Sequence, residues 1–179
     1  MSTSRTCRAL TVAAAALLVA SGCSSSDSDS EPSGAPESAM ALGTAKELSF
    51  DAATVDLSVD DIREATDADI AQHGLTPGPD EDLWFVTYSM TLTDGTAGDL
   101  DADSVYPAAE DWTGITDRGG EVKQTKVLGA GFDCTADGSA TNGIANDAPF
   151  VDCKVFKTGP DASLEAVTIG DHGTWSTQP

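Results

Sequence analysis

The residues best spaced for chemistry are four carboxylates. Asp99, Asp101 and Asp103 alternate, and Glu110 follows them. They fall on the first, third, fifth and twelfth positions of a loop, the pattern by which an EF-hand brings oxygen ligands to Ca²⁺. Two features count against that use. Ser104 stands at the sixth position, where the sharp turn takes Gly. The flanks read as a strand and a Trp112-Thr113-Gly114-Ile115 segment, not as two helices. The chain carries 30 acidic residues, so such spacings also arise by chance. The expectation is a solvated acidic loop and no metal, with a weak calcium site as the alternative.

Nucleophile and base are harder to find. The two histidines are His73 and His172. Neither lies in a metalloprotease helix motif, and no nucleophile elbow or phosphate loop occurs. His172 sits in a Gly-Asp-His-Gly turn and reads as a surface residue. Paired carboxylates for glycoside chemistry carry no information in so acidic a chain. No enzymatic activity and no cofactor are expected. An enzyme whose site assembles from distant residues is the alternative.

The four cysteines sort by position. Cys7 and Cys23 lie near the N-terminus. Cys134 and Cys153 remain as an even pair without C-x-x-C spacing or neighbouring histidines, which favours a structural disulfide over a redox or metal pair.

The N-terminus explains the first two. Arg5 and Arg8 precede an apolar run from Ala9 to Ala20 broken by Thr11. That run is shorter than the roughly 20 residues needed to span a bilayer. A charged start, a short apolar stretch and small residues describe a secretory signal peptide. The sequence Val19-Ala20-Ser21-Gly22-Cys23 resembles the lipobox of bacterial lipoproteins. The resemblance implies cleavage before Cys23, with residues 1–22 removed as signal peptide, and a diacylglyceryl group on the Cys23 thiol. Ala20 stands where leucine is commonest. Two acyl chains anchor a protein stably where one does not.

Residues 24–38 are nearly all Ser, Asp, Glu, Pro, Gly and Ala. Such a segment buries too little apolar surface to offset chain entropy. Residues 23–44 are therefore expected to form a disordered acidic tether, and residues 45–179 one folded domain. Net charge is −21, and the signal segment holds two arginines and no acid, so the mature chain is more negative still. That excludes nucleic acid as a partner, because its binding rests on Lys and Arg.

The elements of the domain are short strands. In residues 83–93, Trp84, Val86, Tyr88, Met90 and Leu92 fall on one face and Phe85, Thr87, Ser89, Thr91 and Thr93 on the other, the pattern of a half-buried strand. Trp84 is expected in the core; Trp112 and Trp175 are undetermined. Val55, Leu57 and Val59 mark an earlier strand, and Leu48 and Phe50 a shorter one before it. Residues 112–116 and 121–128 flank a hairpin turn at Asp117-Arg118-Gly119-Gly120. Residues 150–156, 164–169 and 173–177 complete the set. Residues 60–72 permit a helical turn or a loop, and residues 73–82, with Pro77 and Pro79, read as loop. About seven strands with regular turn signals and one disulfide predict an all-β, immunoglobulin-like β-sandwich.

The run Thr54-Val55-Asp56-Leu57-Ser58-Val59, the strand from Trp84 to Asp94, the Asp117-Arg118-Gly119-Gly120 turn and the late strands around Cys153 and at 164–169 resemble the telokin-like, immunoglobulin-fold domain of actinobacterial (high-GC Gram-positive) surface lipoproteins. The chain departs from that pattern at Asp94, where the family usually has Asn, and in its long Gly-rich stretch 129–146. The resemblance implies a lipid-anchored protein on the extracellular side of the cell membrane, with a single binding or interaction domain. Its partners would be the membrane, through Cys23, and an envelope protein or small-molecule ligand. A calcium-stabilised structural domain is a further alternative.

Overall fold

The computed structural model describes residues 34–100, 111–127, 132–136, 138, 140, 141 and 143–179. Among these residues nine strands form one sheet. They are β1 (Met40–Ala41), β2 (Lys46–Ser49), β3 (Thr54–Glu64), β4 (Asp82–Asp94), β5 (Trp112–Thr116), β6 (Glu121–Thr125), β7 (Phe150–Thr158), β8 (Leu164–Ile169) and β9 (Gly173–Ser176). One α-helix, α1 (Asp67–His73), and a short 3-10 helix, Ala97–Asp99, interrupt them. The strand order is β1-β9-β8-β5-β6-β7-β4-β3-β2. Neighbours are antiparallel except β1 with β9.

The sheet curls into the two layers of a sandwich, and β6 is where it turns. Val122 and Lys123 pair with Gly114 and Thr113 of β5, whereas Gln124 and Thr125 pair with Phe156 and Val155 of β7. One layer therefore holds β7, β4, β3 and β2, and the other β5, β8, β9 and β1. Val55, Leu57, Val59, Val86, Tyr88 and Met90 of the first meet Trp112, Leu164, Val167, Ile169 and Trp175 of the second in the main core. The all-β sandwich with one disulfide is thus the fold, with nine strands where about seven are read from the turns.

The alternation along β4 is met: Val86, Tyr88 and Met90 are buried, and Trp84 and Leu92 pack half-buried against the same core. Trp112 and Trp175, undetermined in the sequence, are both core residues. Trp175 satisfies its indole by donating Nε1–H to the Thr44 carbonyl at 2.8 Å, as a buried tryptophan requires.

The expected tether boundary needs correction. Met40 and Ala41 lie within residues 23–44, yet they pair with Trp175 and Ser176 of β9. The domain begins before residue 45 because β9 would otherwise leave its outer edge unpaired. Farther back, Gly34 donates its N–H to Glu165 Oε2 at 2.8 Å. Cys23 and the signal segment lie outside the described residues.

The ambiguous stretch 60–72 resolves into strand and helix. β3 continues to Glu64, and Thr66 and Asp69 cap α1 reciprocally: Asp69 N–H donates to Thr66 Oγ1 at 3.2 Å, and Thr66 N–H to Asp69 Oδ2 at 2.8 Å. Gly74 stops the helix with φ +61°, a left-handed conformation that costs glycine nothing.

Candidate functional site

β3 holds a bulge that decides what stands on the outer face of the sheet. Up to Val59 the odd positions point to the core, and Val59 pairs with Tyr88. The register then slips, so that Asp61, not Asp60, pairs with Thr87. One extra residue inverts the alternation beyond it. Ile62 takes the core position opposite Val86, and Arg63 comes to lie opposite Phe85 on the outer face. Without the slip Arg63 would point into the core.

Around Arg63 a second, smaller core forms on that outer face. Leu83, Phe85, Cys134, Cys153 and Val155 are buried there, flanked by Ile70 and Leu75 from the helical segment and by Val127 and Phe132. The Arg63 guanidinium lies 4.9 Å from the Phe85 ring centroid, within cation–π range. It donates from Nη1 to Asp69 Oδ2 at 2.8 Å and from Nη2 to Asp69 Oδ1 at 3.3 Å and the Cys134 carbonyl at 3.2 Å. One side chain thus ties α1 to the segment at Cys134.

That segment is also fixed covalently. Cys134 and Cys153 form a disulfide with Cα atoms 5.7 Å apart, a usual separation. Asp133 shapes the loop beyond it. Its Oδ1 accepts from Thr135 N–H at 2.9 Å and from the Thr135 hydroxyl, and Oδ2 accepts from Ala140 N–H at 3.2 Å.

Between these two walls runs a groove of about 530 Å³, lined by Asp69, Gln72, His73, Asp133, Thr135 and Ala136. His73 forms its aromatic corner, with ring centroids 5.1 Å from Phe132 and 6.1 Å from Phe85. Electrostatics hold the floor ionised. Hydrogen bonds from Arg63 and then from Thr66 push the Asp69 carboxyl far below the usual aspartate range. At Asp133 burial pushes upward, but the hydrogen bonds from Thr135 and Ala140 outweigh it, and the net shift is downward.

The groove joins residues that the sequence reading left apart. Cys134 lies between Asp133 and Thr135 of its lining and is paired with Cys153. His73 borders it, and His172 lies instead in the β8–β9 turn, with its N–H bonded to the Ile169 carbonyl at 2.8 Å. Arg63 and Asp133 escaped sequence reasoning. The extra residue at Asp60 was the signal for Arg63, and it is invisible without knowledge of the partner strand.

The carboxylate loop is only partly placed. Asp99 closes the 3-10 helix, its Oδ2 accepting from Thr96 N–H at 2.9 Å and Thr96 Oγ1–H at 2.8 Å. Asp101, Asp103 and Glu110 lie outside the described residues. Among the described residues, no group of three or more His, Cys, Asp or Glu side chains is placed to hold a metal ion. No helix among them is long and apolar enough to cross a membrane.

Fold and site define a disulfide-tied β-sandwich with a braced groove on its outer face. A solved structure to which the chain is similar is that of MPT63, a secreted protein from Mycobacterium tuberculosis. The two are 18% identical, with 77% of this chain and 95% of that chain covered and a TM-score of 0.49. No protein-family model matches the chain, and no curated protein matches it.

Proposed function

We propose that this chain is a lipid-anchored protein of the cell envelope, facing outward, whose single β-sandwich is a binding module without catalytic activity. The observation that carries the binding role is the double brace of the groove. Arg63 holds α1 and the Cys134 carbonyl together, and the disulfide holds Cys134 to β7. Walls fixed before a ligand arrives spare it the cost of ordering them. The disulfide also supports an exported protein, since such bonds persist outside the reducing cytosol. The lipobox-like Val19-Ala20-Ser21-Gly22-Cys23 supports anchoring at Cys23.

The groove's chemistry favours polar recognition over catalysis. Asp69 and Asp133 are committed to Arg63, Thr66, Thr135 and Ala140. Gln72 and the His73 ring remain as wall groups for a ligand. Photo-crosslinkers at Gln72 and Ala136 of the membrane-anchored chain test this reading, with a control at Gln178 on the exposed C-terminal tail. Adducts confined to the groove positions are expected. Equal adducts at all three positions, or none at all, would contradict it.

A further inference from the structure

β7 breaks the rule that one face of a strand is apolar. Its inner face reads Phe150, Asp152, Lys154, Phe156. The two phenylalanines belong to the main core. The charges between them sit across the ladder from Tyr88 and Val86. Lys154 is only 9% exposed. Its ammonium lies 3.0 Å from Asp152 Oδ2 and 5.2 Å from the Tyr88 ring centroid. Tyr88 donates its hydroxyl to the same Oδ2 at 3.1 Å.

Such a pair contributes little net stability. Apolar residues of similar volume commonly serve a core as well or better. Within the fold Asp152 serves as acceptor for the Tyr88 hydroxyl, a task that does not itself require the ammonium beside it. Both charges line a cleft of about 200 Å³, together with Gln124, Val127 and Phe132. The cleft lies where β6 leaves β7, whose shared ladder is limited to Gln124↔Phe156 and Thr125↔Val155.

We propose that this cleft binds an uncharged polyhydroxylated ligand, a sugar ring. The inference rests on the reading of the chain as a binding module and names a second cavity beside the braced groove. An ammonium offers three donors and a carboxylate several acceptor positions, more than their mutual contact and Tyr88 use. A ligand matching both needs adjacent groups that each donate and accept, which is what vicinal hydroxyls do. An anionic ligand would face Asp152 and a chain of net charge −21, and a cationic one would face Lys154. Gln124, which pairs with Phe156 and so shares the face of the two charges, adds an amide that both donates and accepts.

The test is saturation-transfer NMR on the full chain with glucose, galactose and N-acetylglucosamine at millimolar concentration, and acetate as the anionic comparison. Transfer to at least one sugar and none to acetate is expected. Asp152→Leu with Lys154→Met should abolish transfer while the variant keeps a cooperative melting transition. Gln124→Leu, which leaves the ion pair intact, should weaken transfer and serves should the double variant fail to fold. Transfer to none of the three sugars, or transfer undiminished in a folded variant, overturns the proposal. Groove-specific crosslinks at Gln72 in the same preparation would show that the broader binding role survives such a failure.

Discussion

Arg63 and Asp69 meet through two hydrogen bonds, at 2.8 Å and 3.3 Å, although one ends a strand and the other starts a helix. Both side chains are largely shielded, at 23% and 20% exposure. The same guanidinium reaches the Cys134 carbonyl at 3.2 Å. Its loss therefore cuts the tie between the two walls of the groove and leaves the Cys134 wall to the disulfide. Arg63→Met should lower stability by about 1–3 kcal/mol, the range for hydrogen bonds to charged or newly unsatisfied groups. Urea unfolding measures it. Arg63→Met with Asp69→Asn should cost less than the sum of the single changes, because both remove one contact.

The braced carboxylates make acid the weak side of the molecule. Asp69 and Asp133 have folded values below the ordinary range. A carboxyl depressed on folding stabilises above its unfolded value, about 3.9 for aspartate, and loses that contribution as pH falls through the folded value. The melting temperature should be insensitive to these groups from pH 7 to about 5 and fall below about pH 4. Asp69→Asn should blunt the acid fall. An equal fall in parent and variant would remove Asp69 from the account.

The disulfide spans 19 positions. In the chain-entropy model a loop of that order contributes about 3 kcal/mol by restricting the unfolded chain. Cys134→Ser with Cys153→Ser should lose about that much stability by urea unfolding. Reduction of the parent should match it. No change would mean that the loop is held by Arg63 and Asp133 alone.

Gly114 lies at the centre of the curl. A Cβ there would stand 2.5 Å from Leu164 Cδ1, 2.8 Å from Val122 Cγ2 and 3.1 Å from Phe156 Cδ1. Those atoms belong to three strands, and all pack in or against the main core. Gly114→Ala should cost about 1–3 kcal/mol, as overpacking of a filled core does. Gly98→Ala, whose Cβ would meet nothing nearer than Thr96 Oγ1 at 3.7 Å, should leave the melting temperature nearly unchanged.

Local pattern carried much of this fold. The alternation in β4 placed Val86, Tyr88 and Met90 on the core face because that strand is long and its period is unbroken. The even pair Cys134 and Cys153 was legible from count and spacing. What stayed hidden depended on partners distant in sequence. The β3 bulge, which turns Arg63 outward, is defined only against β4. Met40 and Ala41 look like tether by composition and become strand only because β9 offers an edge. Trp112 and Trp175 are buried by the meeting of two layers, which a single strand's pattern cannot announce. Asp152 and Lys154 defy alternation altogether, and a sequence rule that assigns faces by polarity places them outside.

Detergent phase partition of the full chain tests whether an exported binding module is held to a membrane at Cys23. Produced in a bacterial host that processes lipoproteins, the parent should enter the detergent phase. Cys23→Ser should remain in the aqueous phase or persist as an uncut precursor. Equal partition of processed parent and processed variant into detergent would contradict the lipid anchor.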